Sequence, residues 1–84
     1  MKKEYTINLN NINNLRQFNG DILYQISSDV DARYKNQEVD AKSLLGLMMI
    51  SVYDIIVSIN SDDEKELETF RHILWEIRGE EWVR

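Results

Sequence analysis

The spacing of apolar residues changes period several times along this 84-residue chain, and the order of these periods limits the fold more than any single motif. Near the start, Tyr5, Ile7 and Leu9 alternate with polar residues, which is typical of a half-buried strand. From residue 15 onward the apolar residues recur every three or four positions, which predicts an amphipathic helix with Asn14 as its N-cap. These residues are Leu15, Phe18, Ile22, Leu23 and Ile26.

Three further elements are indicated in the middle of the chain. The stretches DVDARYK and EVDA both alternate and are separated by polar residues, which predicts a β-hairpin with Asn36 in the left-handed conformation. Residues 44–50 are apolar on all sides, and Ser43 in front of them predicts a short helix capped by that serine. The stretch YDIIVSIN alternates again and predicts a fourth strand. Its inward residues are Tyr53, Ile55, Val57 and Ile59.

The last part of the chain has the strongest helical pattern. Ser61 and Glu64 have the spacing of a capping box, and Gly79 is the expected end of the helix. Its apolar stripe consists of Leu67, Phe70, Ile73, Leu74 and Ile77. The complete order, β-α-β-β-α-β-α, predicts an α+β open-faced sandwich: a four-stranded antiparallel sheet covered on one face by three helices.

Length and composition exclude several classes of protein. Eighty-four residues have room for one domain, which spans residues 1–84. The chain has no cysteine, which excludes disulfides and thiolate metal sites. No apolar run approaches the roughly 20 residues that cross a bilayer, so we expect a cytoplasmic protein. A net charge of -5 with ten scattered Lys and Arg residues argues against direct binding of nucleic acid.

Catalytic constellations are also absent from the sequence. One histidine and three glycines cannot supply a metal-spaced histidine set, a Ser-His-Asp triad or a glycine-rich phosphate loop, so we expect no enzyme, metal or cofactor. His72 lies off the apolar stripe and is expected at the surface. Trp75 and Trp82 are expected to shield a sheet edge or helix flank or, alternatively, to form a dimer contact, so we expect a monomer or a weak dimer.

The run DVDARYKNQEVDAKSLLG, residues 29–46, resembles without a gap the corresponding segment of HPr, the phosphocarrier protein of the sugar phosphotransferase system. In that family a hairpin is followed by a turn of sequence Lys-Ser-aliphatic-aliphatic-Gly, which is matched here by residues 42–46. A looser resemblance covers nearly the whole chain, with about two residues missing before Val30. The resemblance implies the same open-faced sandwich and a single HPr-like domain.

The sequence departs from the family pattern at the position of the phosphorylated histidine. The family's Gly-Ile-His-Ala-Arg-Pro loop falls on residues 12–17, so Asn14 stands in the position of the histidine, Arg16 matches the arginine and Gln17 replaces the proline. An imidazole nitrogen is nucleophilic, whereas a carboxamide cannot carry a phosphoryl group. The resemblance therefore implies a protein that is not a histidine phosphocarrier, although Arg16 could still bind an anion.

Ser43 matches a second modified position of the family. In HPr proteins of low-GC Gram-positive bacteria the equivalent serine is phosphorylated by HPr kinase, and the product binds a catabolite-control transcription regulator; a histidine-less relative of HPr keeps this serine alone. The resemblance implies such a role here, with Lys42 beside the phosphate. The expected partner surface consists of Leu44, Leu45, Met48 and Met49, of which Leu45 or Met49 points outward.

Two alternatives stay open on the sequence. Ser43 can be a helix cap and nothing more, in which case the chain is a divergent HPr-fold adaptor that binds partners without phosphorylation. A phosphocarrier that uses another residue is a minor third possibility. Asp40 near Ser43 counts mildly against phosphorylation because it would repel the phosphate.

Overall fold

The computed structural model describes residues 2–78 and contains seven elements in the expected order. The strands are β1 (Lys2–Asn8), β2 (Val30–Tyr34), β3 (Gln37–Asp40) and β4 (Asp54–Asn60). The helices are α1 (Ile12–Gln25), α2 (Leu44–Ile50) and α3 (Glu64–Arg78). The predicted α+β open-faced sandwich is confirmed.

The four strands form one sheet in the order β1-β4-β2-β3, and every neighbouring pair is antiparallel. The interior strand β4 is paired on both sides, with Val57 opposite Tyr5 of β1 and opposite Ala32 of β2. Because side chains alternate along a strand, Ile55, Val57 and Ile59 of β4 all point to the same face and are fully buried there. This face carries the core.

The helices supply the other half of the core. Phe18 of α1 and Phe70 of α3 meet edge to face with ring centroids 6.3 Å apart, and Tyr5 of β1 lies 5.7 Å from Phe70. The predicted stripe of α3 is confirmed, with Ile77 only partly buried. The stripe of α1 is confirmed except for Leu23, which is 51% exposed because it lies beside the core-facing row of that helix.

The start of α1 differs from the prediction. The helix begins at Ile12 and its N-cap is Asn11, not Asn14. The Oδ1 atom of Asn11 accepts the backbone N–H groups of Asn13 and Asn14 at 2.8 and 3.3 Å, so Asn14 lies inside the first turn. Several asparagines of the NNINN cluster can serve as a cap, and the earlier one gives a helix that is three residues longer and therefore has more backbone hydrogen bonds.

The start of α3 also differs from the prediction. The predicted capping box of Ser61 and Glu64 is wrong, because the N-cap of α3 is Asp63. The Oδ1 atom of Asp63 accepts the N–H of Lys65 at 3.0 Å, and its carbonyl accepts the N–H of Leu67 at 2.9 Å. Ser61 instead accepts the N–H of Asp63 at 3.1 Å, which forms the turn before the helix. The predicted end at Gly79 lies outside the described residues.

The hairpin between β2 and β3 is confirmed, with Tyr34 opposite Gln37 across a two-residue turn. Its left-handed residue is Lys35, with φ 55°, rather than the predicted Asn36. A positive φ at only the first of two turn residues is typical of a type II′ turn, which matches the twist of the flanking strands. The position favours glycine, but here a lysine adopts it, with Nζ 5.4 Å from the centre of the Tyr34 ring.

The connection between α1 and β2 is held by one carboxylate of α3. Glu66 accepts the backbone N–H and the hydroxyl of Ser27 at 2.7 and 2.9 Å, and it accepts the N–H and the hydroxyl of Ser28 as well. The hydrogen bond from Ser28, with those from Ser61 and Ser27, lowers the pKa of Glu66 to about 2 although partial burial raises it. These bonds bring the end of α1 to the start of α3, so the two helices are antiparallel.

Replacing Lys35 with glycine should raise the free energy of unfolding by up to about 1 kcal/mol, because glycine adopts a positive φ without steric cost. Asn36→Gly, at the neighbouring turn position with negative φ, is the matched control and should be neutral or destabilising. Urea unfolding followed by circular dichroism measures both. A larger gain from Asn36→Gly than from Lys35→Gly would contradict the turn geometry.

Replacing Glu66 with glutamine should lower the free energy of unfolding by about 1–3 kcal/mol at neutral pH, since the serines lose a charged acceptor. The folded pKa near 2 lies below the ordinary value of 4.5. The stabilisation by the carboxylate is therefore complete above about pH 4.5 and is lost as the pH falls towards 2.

The exposed Glu68→Gln on the same helix is the matched control and should change stability little. Urea midpoints measured at pH 7 and at pH 2.5 should differ clearly between the wild type and Glu66→Gln at the higher pH, and the difference should be much smaller at the lower pH. An equal difference at both pH values would show that the charge of Glu66 is not what stabilises the connection.

Candidate functional site

Ser43 is the N-cap of α2, as predicted, and its side chain is exposed. Its hydroxyl oxygen accepts the backbone N–H of Gly46 at 3.2 Å, and its carbonyl accepts the N–H of Leu47 at 3.0 Å. A cap hydroxyl of this kind satisfies one of the unpaired amides at the start of a helix. Ser43 therefore combines a structural role with a hydroxyl at the surface.

The turn in front of Ser43 is fixed by Asp40. The backbone N–H of Lys42 donates to Oδ1 of Asp40 at 2.9 Å, and the N–H of Ser43 donates to the Asp40 carbonyl at 2.9 Å. Behind the turn, a Cβ atom added at Gly46 would lie 3.2 Å from Cβ of Val39 and 3.4 Å from Oγ of Ser43. The absence of a side chain at residue 46 thus allows α2 to pack closely against the hairpin.

The residues predicted as a partner surface lie on α2, and their side chains are exposed. Leu47 and Ile50 are buried against the sheet, whereas the other large side chains of the helix face outward. We use the name α2 patch for the four residues predicted as this surface, whose exposed fractions are Leu44 37%, Leu45 72%, Met48 48% and Met49 66%. Exposed apolar side chains continue beyond the patch at Val52 and Tyr53, which are 58% and 56% exposed. The prediction that Tyr53 faces inward is wrong, because β4 begins only at Asp54.

The position that the HPr resemblance aligns with the family's phosphorylated histidine lies in the first turn of α1. Asn14 itself is half-buried, and its backbone N–H is bonded to Asn11. Because the Asn11 side chain accepts two of the first amides of α1, this helix start is already capped from within the chain. An incoming phosphate would have to displace that carboxamide before it could bind the same N–H groups.

Arg16 and Lys42, the cations predicted near the candidate site, and Arg33 of β2 lie in different surroundings. Arg16 is exposed on α1. Nζ of Lys42, by contrast, donates to the carbonyl of Ile26, the C-cap of α1, at 2.7 Å. Arg33 points to the uncovered face of the sheet and pairs with Glu4 at 3.3 Å. Arg33 and Lys42 are thus engaged on opposite sides of the sheet, so Arg16, Arg33 and Lys42 form no common basic patch.

A shallow groove of about 200 Å³ separates the start of α1 from the end of α2. Ser51, the C-cap of α2, lies in it with only 4% of its surface exposed, and its Oγ has no hydrogen-bond partner among residues 2–78. The groove is lined by Leu9, Asn10, Asn11, Ile12, Leu15, Met48, Ser51 and Val52. Its position makes it a continuation of the α2 patch towards α1.

His72 is exposed as predicted, with Nε2 3.7 Å from a carboxylate oxygen of Glu76 and its ring 5.4 Å from that of Trp75. Trp75 is 38% exposed on the flank of α3, and Trp82 lies outside the described residues. Within residues 2–78, no group of three or more histidine, aspartate or glutamate side chains is arranged to hold a metal ion. The same part of the chain has no helix long and apolar enough to cross a membrane.

Two contacts of the Ser43 turn were missed on the sequence. One is the bond from Lys42 to Ile26, and the other is the bond from Nδ2 of buried Asn19 to the carbonyl of Ala41 at 3.2 Å. An asparagine between Phe18 and Ile22 on an amphipathic helix signals a buried polar contact, but its acceptor depends on the packing of α1 against the hairpin. Nothing in the sequence around Lys42 indicates its contact with Ile26.

The comparisons with known proteins bear on the fold. The structure is similar to the crystal structure of HPr-C-His from Thermoanaerobacter tengcongensis, with a TM-score of 0.58 and 22% sequence identity over 93% of this chain and 97% of that chain. No family model matches the sequence. No curated protein matches it either. The chain therefore has the HPr-like fold.

Replacing Asn11 with alanine should lower the free energy of unfolding by about 0.5–2 kcal/mol, because two amides of α1 lose their acceptor. Asn14→Ala should be neutral or slightly stabilising, since alanine favours the helix interior. Thermal or urea unfolding distinguishes these expectations. A greater loss of stability for Asn14→Ala than for Asn11→Ala would show that Asn14 is the N-cap, as the sequence predicts.

Proposed function

We propose that this chain is an HPr-like regulatory protein of the carbon catabolite control type. It does not act as a histidine phosphocarrier; it binds a protein partner through the α2 patch and is switched by phosphorylation of Ser43. The observation that carries the proposal is the position of the Ser43 hydroxyl, exposed at the helix start directly before four outward-facing apolar side chains. One phosphate there would change the charge of the whole contact surface.

The start of α1 supports the first part of the proposal. The HPr resemblance places the phosphocarrier histidine at a helix N-terminus, and both the aligned Asn14 and the observed cap Asn11 are asparagines. A carboxamide has no nucleophilic nitrogen that could take up a phosphoryl group. The Asn11 side chain also occupies amides that would otherwise hold a phosphate.

The surroundings of Ser43 support the second part. The Gly46 N–H donates to the Ser43 hydroxyl, and the backbone amides of Leu44 and Leu45 also lie in the first turn, at the positive end of the helix dipole. A phosphate of about −2 charge is favourable at this end. The carboxylate of Asp40 opposes it, but that group already accepts the backbone N–H of Lys42. Access for a kinase is provided by the exposure of Ser43.

The α2 patch supports a protein partner. Between Asp40 and Asp54 the chain carries a single charge, that of Lys42, although the whole protein has a net charge of −5. An apolar surface without carboxylates on an acidic protein is suited to contact with another protein and would lose affinity or specificity if it were charged. The expected partners are HPr kinase and a catabolite-control transcription regulator.

The adaptor alternative rests on a specific observation as well. Ser43 already accepts the N–H of Gly46 and so has a sufficient structural reason to be present. An adaptor of this fold would bind its partner through the same α2 patch whether or not Ser43 carries a phosphate. The two proposals therefore differ only in the effect of Ser43.

The test is phosphorylation by purified HPr kinase with ATP, followed by intact-mass spectrometry and fragmentation. We expect one added phosphate on the wild type at Ser43 and none on Ser43→Ala, with an ordinary HPr modified in the same tube as positive control. Leu45→Glu should slow the reaction several-fold, because the charge lies in the contact surface, whereas Tyr24→Glu on the outer side of α1 should not.

The outcomes separate the proposals. An unmodified wild type beside a modified ordinary HPr would contradict the regulatory role and favour the adaptor. A phosphorylated chain that binds the purified transcription regulator no better than the unmodified chain would also contradict it. Transfer of phosphate from phosphoenolpyruvate to the chain by the general transferase would overturn the statement that it is not a phosphocarrier.

A further inference from the structure

The turn that carries Ser43 is bonded to α1 at two points. Asn19 in the middle of the helix donates to the carbonyl of Ala41, and Lys42 donates to the carbonyl of Ile26 at the helix end. The ammonium group of Lys42 therefore lies at the negative end of the α1 dipole, where a cation stabilises the last turn. This cation is contributed by the residue directly before Ser43.

The residues after Ile26 are held by a charge of opposite sign. Glu66 of α3 accepts the N–H groups and hydroxyls of Ser27 and Ser28. Lys42 acts on the carbonyl at the end of α1, while Glu66 acts on the amides that follow it. The two sides of this junction are thus fixed independently, so removal of Lys42 would release the end of α1 and leave the attachment to α3 in place.

A phosphate on Ser43 would offer Lys42 a stronger acceptor than the one it has. A dianionic phosphate attracts an ammonium group more strongly than a neutral carbonyl does, and the four-carbon stem of lysine is flexible. The carboxylate of Asp40 in the same turn adds to the negative charge around the phosphate. Movement of the Lys42 ammonium towards Ser43 relieves that repulsion.

We propose that Lys42 relays the state of Ser43 to the end of α1. In the unmodified chain its ammonium caps α1 at Ile26; in the phosphorylated chain it pairs with the phosphate, and the last turn of α1 loosens. This proposal rests on the proposed phosphorylation of Ser43 and extends its effect to a second surface. Leu23 and Tyr24, 51% and 91% exposed in that last turn, are the side chains whose presentation to a partner changes.

The test measures amide hydrogen exchange by NMR in a chain with phosphoserine incorporated at position 43 during translation, so that it depends on no kinase. We expect exchange in residues 23–26 to become about two- to fivefold faster than in the unmodified chain, as for loss of a charge at a helix end. Lys42→Met without phosphate should show the same acceleration, and phosphoserine added to Lys42→Met should cause no further change.

Two reference signals make the result decisive. Amides in the middle of α3 should exchange equally in all four proteins, which checks that Lys42→Met folds. The ammonium resonance of Lys42 should shift on phosphorylation. Unchanged exchange in residues 23–26 of the phosphoserine chain would overturn the relay even if HPr kinase modifies Ser43. If all the exchange changes are observed but HPr kinase does not phosphorylate the protein, the proposed function is overturned and the relay is not.

Discussion

The pairing of β4 on both of its sides is the constraint on which the rest of the structure depends. Because β1 and β2 both use β4 as their partner, the alternation of Ile55, Val57 and Ile59 decides which face of the entire sheet is apolar. All three helices must then lie on that face. The ends of the helices also lie near one another, because the helical connections between strands all cross this one covered face.

The candidate site follows from that layering. α2 is only seven residues long and buries two of them, so most of its apolar surface is left for solvent or a partner. A short helix with so little buried surface needs help at its start, and Ser43, Asp40 and the close contact at Gly46 provide it. The residues that hold the helix in place are therefore the same residues that surround the exposed hydroxyl.

The sequence predicted the elements better than their ends. The regular spacing of apolar residues reflects burial along a whole strand or helix, so the strands and the helices could be predicted from it. The cap at Ser43 could also be predicted, because a serine directly precedes the apolar run. The exact caps at Asn11 and Asp63 were not, because neighbouring asparagines, serines and aspartates compete for the same amides and the choice depends on where the strand before them ends. Likewise the acceptor of Lys42 belongs to a helix 16 residues earlier in the chain, which no local pattern specifies.

The two methionines of the α2 patch give the surface a chemical property that an all-leucine patch would lack. Met48 and Met49 are 48% and 66% exposed, so their side chains are open to oxidants in solution. Oxidation to the sulfoxide adds a polar oxygen to a side chain that otherwise presents a flexible apolar surface. The apolar character of this face therefore depends on the redox conditions around the protein, and reduction of the sulfoxides restores it.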